Sequence, residues 1–421
     1  EWNGVILKWD GTDWTYLWPQ EGGFDPGKTY AIEVEGTNVY AAIYDRVIRW
    51  NGADWELVAT NLVPAELPFQ DSSRVENHRM DLAVVGEDLY VGGAFSATVD
   101  DTNIQYIARL NKANNCWEAV GNGLDGPVLA IESMGGELYI GGLFTSAGGN
   151  TNLNGIARLE ANTWANLGAG LEGTNSAGGR GGVFCLAACG TNLFVGGDFT
   201  SAGGNTNGRG IAVWNTREWN SIHRGLGPFD QEPDYLPECI VYSITARGDT
   251  LYAAGRFGKA WVDETNSIAT ANIAQARWSE SQQSWSWSDL DLGIYHYWSD
   301  PGFTGFGLST AIIEGSQPGA YDLIVGGSFR QAGTAVFLYD PPSPDPNCLA
   351  RWRIGDQPGS RPSVSVIEPA ANAVFTNVST VELFATASSY TNIASAWFVI
   401  DDQPAMQAWP VSNDVYNVYW Y

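Results

Sequence analysis

The sequence predicts an all-β fold: a β-propeller of six four-stranded blades, with seven the other possibility, followed by part of a second, β-sandwich domain. Three observations carry the prediction. A set of short clauses recurs along the chain at the spacing of one small sheet, and no segment holds a sustained helical period. The 421 residues include 50 glycines and 19 tryptophans, which suits many tight turns with a large ring placed once or twice per unit.

The leading clause reads Leu89-Tyr-Val-Gly-Gly-Ala-Phe95 and recurs from Leu138, Leu193, Leu251 and Leu323, with a degenerate copy at Val39–Tyr44. A second clause follows each one: Val47-Ile-Arg-Trp50, Ile107-Ala-Arg-Leu110, Ile156-Ala-Arg-Leu159, Ile211-Ala-Val-Trp214, Ala274-Gln-Ala-Arg-Trp278 and Leu349-Ala-Arg-Trp352. A tryptophan comes next, at Trp55, Trp117, Trp164, Trp219 and Trp285. A short apolar run precedes each leading clause. Four short strands per unit joined by polar turns read as an antiparallel meander. Such meanders bury both faces only by packing on their neighbours around a ring. The glycine pair marks a strand that another backbone approaches closely. The arginines Arg49, Arg109, Arg158, Arg277 and Arg351 read as structural hydrogen-bonding posts.

The sixth unit has no tryptophan after its third clause, whereas the N-terminal segment Val5–Trp14 carries a third and a fourth clause. The expectation is that the N-terminus donates the missing outer strand around Trp14–Trp18. The surplus copy Val5–Trp9 then lies on an edge or belongs to a seventh blade. The propeller is placed at 1–356, a linker at 357–362, and the second domain at 363–421, where period-two alternation marks half-buried strands. About sixty residues are short of the roughly one hundred of a complete immunoglobulin-type sandwich, so this domain is expected to be incomplete. The sequence starts at Glu1 without a signal-peptide pattern, so the expectation is a mature or trimmed product.

The clause Leu-Tyr-Ile-Gly-Gly-Leu-Phe-Thr-Ser-Ala-Gly-Gly at 138–149, its near copy at 193–204, the Ile-Ala-x-Trp clause and the later tryptophan together resemble kelch-like propeller repeats of large secreted bacterial proteins. The Ser363–Ile400 pattern is similar to bacterial Ig-like modules. These resemblances imply an extracellular or cell-surface location and a binding or adhesive role. The propeller-then-Ig layout also resembles galactose oxidase, but His78, His223 and His296, the only histidines, match none of that family's copper motif, and no residue is carried over.

The net charge is −26, from 47 acidic and 21 basic residues. Such a surface repels phosphate backbones and argues against nucleic acid and anionic membranes. No apolar run is long enough for a membrane helix, so no insertion is expected. The five cysteines, Cys116, Cys185, Cys189, Cys239 and Cys348, lack metal-ligand spacing and read as buried thiols; a bridge from Cys185 or Cys189 to Cys239 is the alternative.

Propeller topology puts the tight turns on one face and the long connections, at 61–80, 224–238, 258–272, 289–308 and 331–347, on the other, which is the candidate binding face. Tyr295, His296, Tyr297, Trp298, Phe303 and Phe306 are the candidate ligand-binding residues, because aromatic rings beside acids suit sugars. Asp100, Asp101, Asp230 and Asp234 are the candidate calcium ligands, and no other cofactor is implied. The twin segments 145–152 and 200–207 read as repeat turns. Enzyme signatures are absent. The expected function is therefore a non-enzymatic module of a larger protein, engaging glycan or protein or associating with itself. The alternative is a glycoside hydrolase or lyase using carboxylates such as Asp230, Glu232 and Asp234 on the same face.

Overall fold

The computed structural model describes residues 6–9, 14–17, 29–43, 46–60, 62–64, 80–97, 104–172, 181–228, 239–263, 265–290, 293–295, 306–314, 319–329, 331–332, 336–339, 347–354, 363–368, 381–388, 396–398, 406–412 and 415–420. They contain strands, turns and bends and no helix. The chain divides into two units, one of residues 1–313 and 323–352, the other of 314–322 and 353–421.

The first unit is a β-propeller. Six four-stranded antiparallel sheets follow one another along the chain, numbered here as blades 1 to 6. Their inner strands are Thr29–Glu35, Met80–Val85, Val128–Met134, Val183–Cys189, Ile240–Arg247 and Phe306–Glu314. In blades 1 to 5 strand order across the sheet equals chain order, as a meander requires. The apolar cores lie between sheets rather than within any one. Tyr40, Val47 and Ala42 of blade 1 meet Leu82 and Val91 of blade 2, and equivalent cores fill the next three junctions.

The glycine pair serves this packing twice over. A methyl on Gly92 would meet Val128 Cγ1 at 2.5 Å, and one on Gly196 would meet Val241 Cγ1 at 2.7 Å; Gly141 stands likewise against Val183. Gly142 and Gly197, the second glycines of their pairs, abut backbone instead: Gly142 faces the Pro127 carbonyl and Gly197 the Gly182 carbonyl. At the junction of blades 5 and 6 the arrangement is inverted. Ala254 takes the place of the first glycine, and the residue opposite it is Gly307, so the space for one methyl is kept. The phenylalanine that ends each clause (Phe95, Phe144, Phe199, Phe257, Phe329) is fully buried.

The arginine posts are structural. Arg49 pairs with Glu56, Arg109 with Glu118 and Asp88, and Arg158 with Glu137 and Glu160. Each lies across the ladder from a strand-two tyrosine, Tyr40, Tyr90 or Tyr139. Blade 5 corrects the expected register. Gln275, not Arg277, is opposite Tyr252, and Trp287, not Trp285, takes the buried outer tryptophan position. Its third and fourth strands, Ile273–Ser279 and Ser284–Asp289, are both longer than their counterparts in blades 1 to 4. In blades 4 and 5 the outer tryptophan ties the blade to the one before: Trp219 Nε1 donates to Leu167 O at 2.7 Å and Trp287 Nε1 to Ile222 O at 3.1 Å, whereas Trp117 Nε1 and Trp164 Nε1 of blades 2 and 3 are buried without a partner among the described residues.

The expectation for the N-terminus is overturned. The outermost strand of blade 6 is Val336–Tyr339, drawn from the connection ahead of its own third strand Asn347–Ile354. The N-terminal strands Leu7–Trp9 and Trp14–Tyr16 pair only with each other among the described residues, and Ile6 and Leu17 pack on Ala41, Ile43, Ile48 and Trp55 of blade 1. The cysteine bridge is not formed either, since no disulfide joins Cys185 or Cys189 to Cys239, and Cys116 is exposed rather than buried.

In the second unit, Ser363–Glu368, Val381–Ser388, Val415–Trp420, Met406–Ser412 and Ala396–Phe398 form, in that order, one five-stranded antiparallel sheet.

Candidate functional site: the long-connection face and the channel

The two faces of the propeller are built differently. On one, the inner and second strands join through two-residue turns opened by Gly36, Gly86, Gly135, Gly190 and Gly248, all with φ between 58° and 64°. Left-handed backbone at that position matches strand twist, and glycine adopts it without steric cost. Lys112 reaches from blade 2 to Glu35 of blade 1 at 2.9 Å and holds that carboxyl below its usual range. This face is short, knit and flat in sequence.

The opposite face carries the long connections, and they are fastened. The segment entering a blade pairs with the segment between that blade's second and third strands. Val63–Pro64 pairs with Phe95–Ala97, Leu171–Glu172 with Ser201–Ala202, Leu226–Gly227 with Lys259–Trp261, and Ile294–Tyr295 with Gln331–Ala332. A single bridge, Leu124 to Ala147, does the same for blade 3. Asp125 completes that clasp by accepting from Thr145 N at 2.7 Å and Ser146 N at 2.9 Å. The twin 145–152 and 200–207 segments each hold a two-glycine turn, at Gly148–Gly149 and Gly203–Gly204, and each also supplies one side of a clasp.

The channel is lined in part by carboxylates the sequence reading did not single out. Inner-strand Glu33 accepts from Val84 N of the next blade at 3.2 Å, and Glu132 accepts from Ala188 N at 3.3 Å. Asp81 accepts from Ile131 N at 2.7 Å. Where the carboxylate gives way to serine, Ser243 Oγ accepts from Thr310 N at 2.9 Å. Each closes an inner-strand edge whose N–H groups no further strand covers. Burial pushes the Glu33 and Glu132 carboxyls above the ordinary value, against the pull of their backbone donors, and Glu33 adds repulsion to Glu132. The available signal was an acidic residue at an inward position of an otherwise apolar strand.

At the clasp of blade 5 the Arg224 guanidinium lies 4.4 Å from the Trp261 ring centroid and Lys259 Nζ lies 5.4 Å from it. Trp261 is thus a platform for two cations in a strongly acidic chain. His223 stands beside Arg224 with φ of 51°.

Of the candidate ligand residues, Tyr295 belongs to the clasp strand Ile294–Tyr295 and Phe306 opens the inner strand of blade 6. The other four, His296, Tyr297, Trp298 and Phe303, lie outside the described residues, as do Asp100, Asp101, Asp230, Asp234, Glu232, His78 and the linker at 357–362. Among the described residues no group of three or more His, Cys, Asp or Glu side chains is placed to hold a metal. No described helix is long and apolar enough to cross a membrane.

No protein-family model matches the chain, and no curated protein does. Solved structures show distant likeness. The extracellular domain of a one-component system of B. thetaiotaomicron aligns at 12% identity and TM-score 0.31, over 76% of this chain and 42% of that one. The N-terminal domain of Nup159 aligns at 10% identity and TM-score 0.29, over 98% of this chain and 80% of that one. PorZ, a surface component of the type-IX secretion system of Porphyromonas gingivalis, aligns at 13% identity and TM-score 0.27, over 77% and 42%. The chain thus spans less than half the length of the first and last of these.

Proposed function

We propose that this chain is a non-enzymatic binding module of a larger extracellular or cell-surface protein, and that a glycan or protein partner docks on the long-connection face of the propeller. One observation carries the reading: the connections of that face are fastened by clasps to a stack of rigid sheets, while on the opposite face the turns of blades 1 to 5 are only two to four residues long. A rigid scaffold presenting anchored, variable loops on one side is the usual architecture of recognition. The aromatic run Tyr297–Trp298 supplies rings for sugar C–H faces, and calcium held by Asp100, Asp101, Asp230 or Asp234 is the accessory this reading allows.

The test is a glycan array with and without calcium, using the parent chain and a Tyr297→Ala/Trp298→Ala variant. Tyr295 is left in place because its backbone belongs to a clasp. Binding by the parent and loss in the variant support the reading. Equal binding by both removes the aromatic run from it, and no binding by the parent removes the glycan.

A second reading, a polysaccharide-active enzyme, draws on the raised carboxyls of Glu33 and Glu132, since a protonated acid is one half of a hydrolytic pair. Both groups accept backbone N–H bonds that close strand edges, which favours the structural role. Reducing-end release from a polysaccharide panel, abolished by Glu132→Gln without loss of stability, would reverse that preference.

A further inference from the structure

The N-terminal hairpin copies the outer half of a blade. Trp9 faces Trp14 across its ladder, as Trp50 faces Trp55 in blade 1 and Trp214 faces Trp219 in blade 4. Leu17 follows Trp14 by three residues, as Leu167 follows Trp164 and Ile222 follows Trp219. Its carbonyl accepts Trp55 Nε1 at 2.8 Å, the bond that Leu167 and Ile222 give to the outer tryptophan of their next blade. The hairpin therefore occupies the third- and fourth-strand positions of a blade preceding blade 1.

The inner half of that blade is missing among the described residues, and its absence leaves apolar surface on both sides. Leu82, Ile131, Leu186 and Ile244 are buried against the preceding blade; their counterpart in blade 1, Ile32, is 50% exposed, and Val34 beside it is 60% exposed. On the far side, the register set by Gly307 against Ala254 and Thr310 against Ser243 turns Ser309, Ala311 and Ile313 of blade 6 toward the following blade. All three are exposed.

We propose that the ring has seven blade positions, and that the seventh is completed by a two-stranded hairpin of the same repeat, supplied by this polypeptide ahead of Ile6. Chain order is inner, second, third, outer in blades 1 to 5, so strands one and two of a blade ending in this hairpin stand N-terminal to it. The occupant inserts between Ile32 and Val34 on one side and Ile313 on the other, adding a ladder to the free edge of Leu7–Trp9. Its face toward blade 1 carries a small residue in strand two, where Gly92, Gly141 and Gly196 stand in the other units. This inference is independent of the proposed function.

The experiment places a copy of residues 128–155, the inner strand, second strand and following connection of blade 3, directly ahead of Ile6. Hydrogen exchange is then followed by mass spectrometry. Exchange is expected to slow roughly tenfold or more in peptides covering 6–9 and 29–35, with blades 2 to 4 unchanged as the internal reference. The same extension carrying Ile140→Pro should give no protection. In the parent chain, Ile32→Asp/Val34→Asp is expected to leave the melting temperature unchanged, and in the extended chain to abolish the gain. Three results overturn the proposal: no slowing in the extended chain; destabilisation of the parent by the Ile32→Asp/Val34→Asp pair, which shows the face already covered; and a concentration-dependent dimer of the parent, by light scattering, that this pair dissolves, which makes a second copy the occupant.

Discussion

Replacing Gly141 by alanine tests whether the glycine pair is kept for packing between blades. Gly141 sits in ordinary strand backbone outside the left-handed region, so alanine meets no conformational penalty there. The new methyl would run into Val183 Cγ1, with Val183 Cβ at 2.9 Å and Leu186 Cγ at 3.6 Å. Val183 is fully buried and β-branched, so it has no free rotamer to retreat into, and blade 4 must move as a body. Overpacking of this kind costs about 1–3 kcal/mol. The lost backbone freedom of the unfolded chain returns about 0.4–1 kcal/mol, leaving a net destabilisation of about 1–2 kcal/mol. Val183→Ala alone opens a cavity costing about 2 kcal/mol. In the double variant the added methyl enters the space vacated by Val183, as Ala254 enters the space left by Gly307. The pair should then be less destabilised than the sum by about 1–2 kcal/mol. Urea unfolding of the four proteins, followed by tryptophan fluorescence, measures this cycle. Additivity within about 0.3 kcal/mol, or a neutral Gly141→Ala, would refute the steric account.

Trp219→Phe keeps the ring in place and removes the bond to Leu167 O, and is expected to cost about 1 kcal/mol in the same assay; Trp55→Phe should also speed exchange in 6–9 and 14–17 by releasing the N-terminal hairpin from blade 1. Glu132 binds its proton more tightly folded than unfolded, so its contribution to stability is fully present below the ordinary carboxylate value and declines as pH rises through its raised value. Glu132→Gln retains an acceptor for Ala188 N and should flatten that part of the pH–stability curve; an unchanged curve contradicts the assignment. Cys116 is exposed, whereas burial pushes the Cys239 thiol up to about 12. Cys239 is half-buried and its raised thiol holds little thiolate, so iodoacetamide at mildly alkaline pH should label Cys116 in the folded chain well ahead of Cys239, as peptide mass mapping will show.

The ring of meanders was legible because its cause is local. Each clause is a strand with its turn, and repetition multiplies a weak signal. The close approach at the glycine pair was legible for the same reason, since glycine in mid-strand weakens the ladder and is kept where a neighbour leaves no room for a side chain. The register of blade 5 was misread by two residues: Ala274-Gln-Ala-Arg-Trp278 aligns with Ile-Ala-Arg-Trp by its ending, whereas the structure aligns it by Ile273 and leaves Gln275 in the arginine position. The clasps were hidden because partners such as Leu171–Glu172 and Ser201–Ala202 are two residues long and about thirty apart in the chain. The channel carboxylates were not legible because no local pattern marks their role. Glu33, Asp81 and Glu132 interrupt apolar strands, and their reason appears only when the next blade's N–H groups are beside them.

The clasps separate two kinds of freedom. Because each long connection is stitched to its neighbour at the base, what happens beyond the stitch is not transmitted to the sheets below. A segment of different length or composition between Ala202 and Ile211, or between Trp261 and Ser267, hangs from fixed posts rather than from the blade itself. The crown of the ring is in this sense an interchangeable part. Foreign recognition sequences grafted above the stitches should inherit the stiffness of the body beneath them.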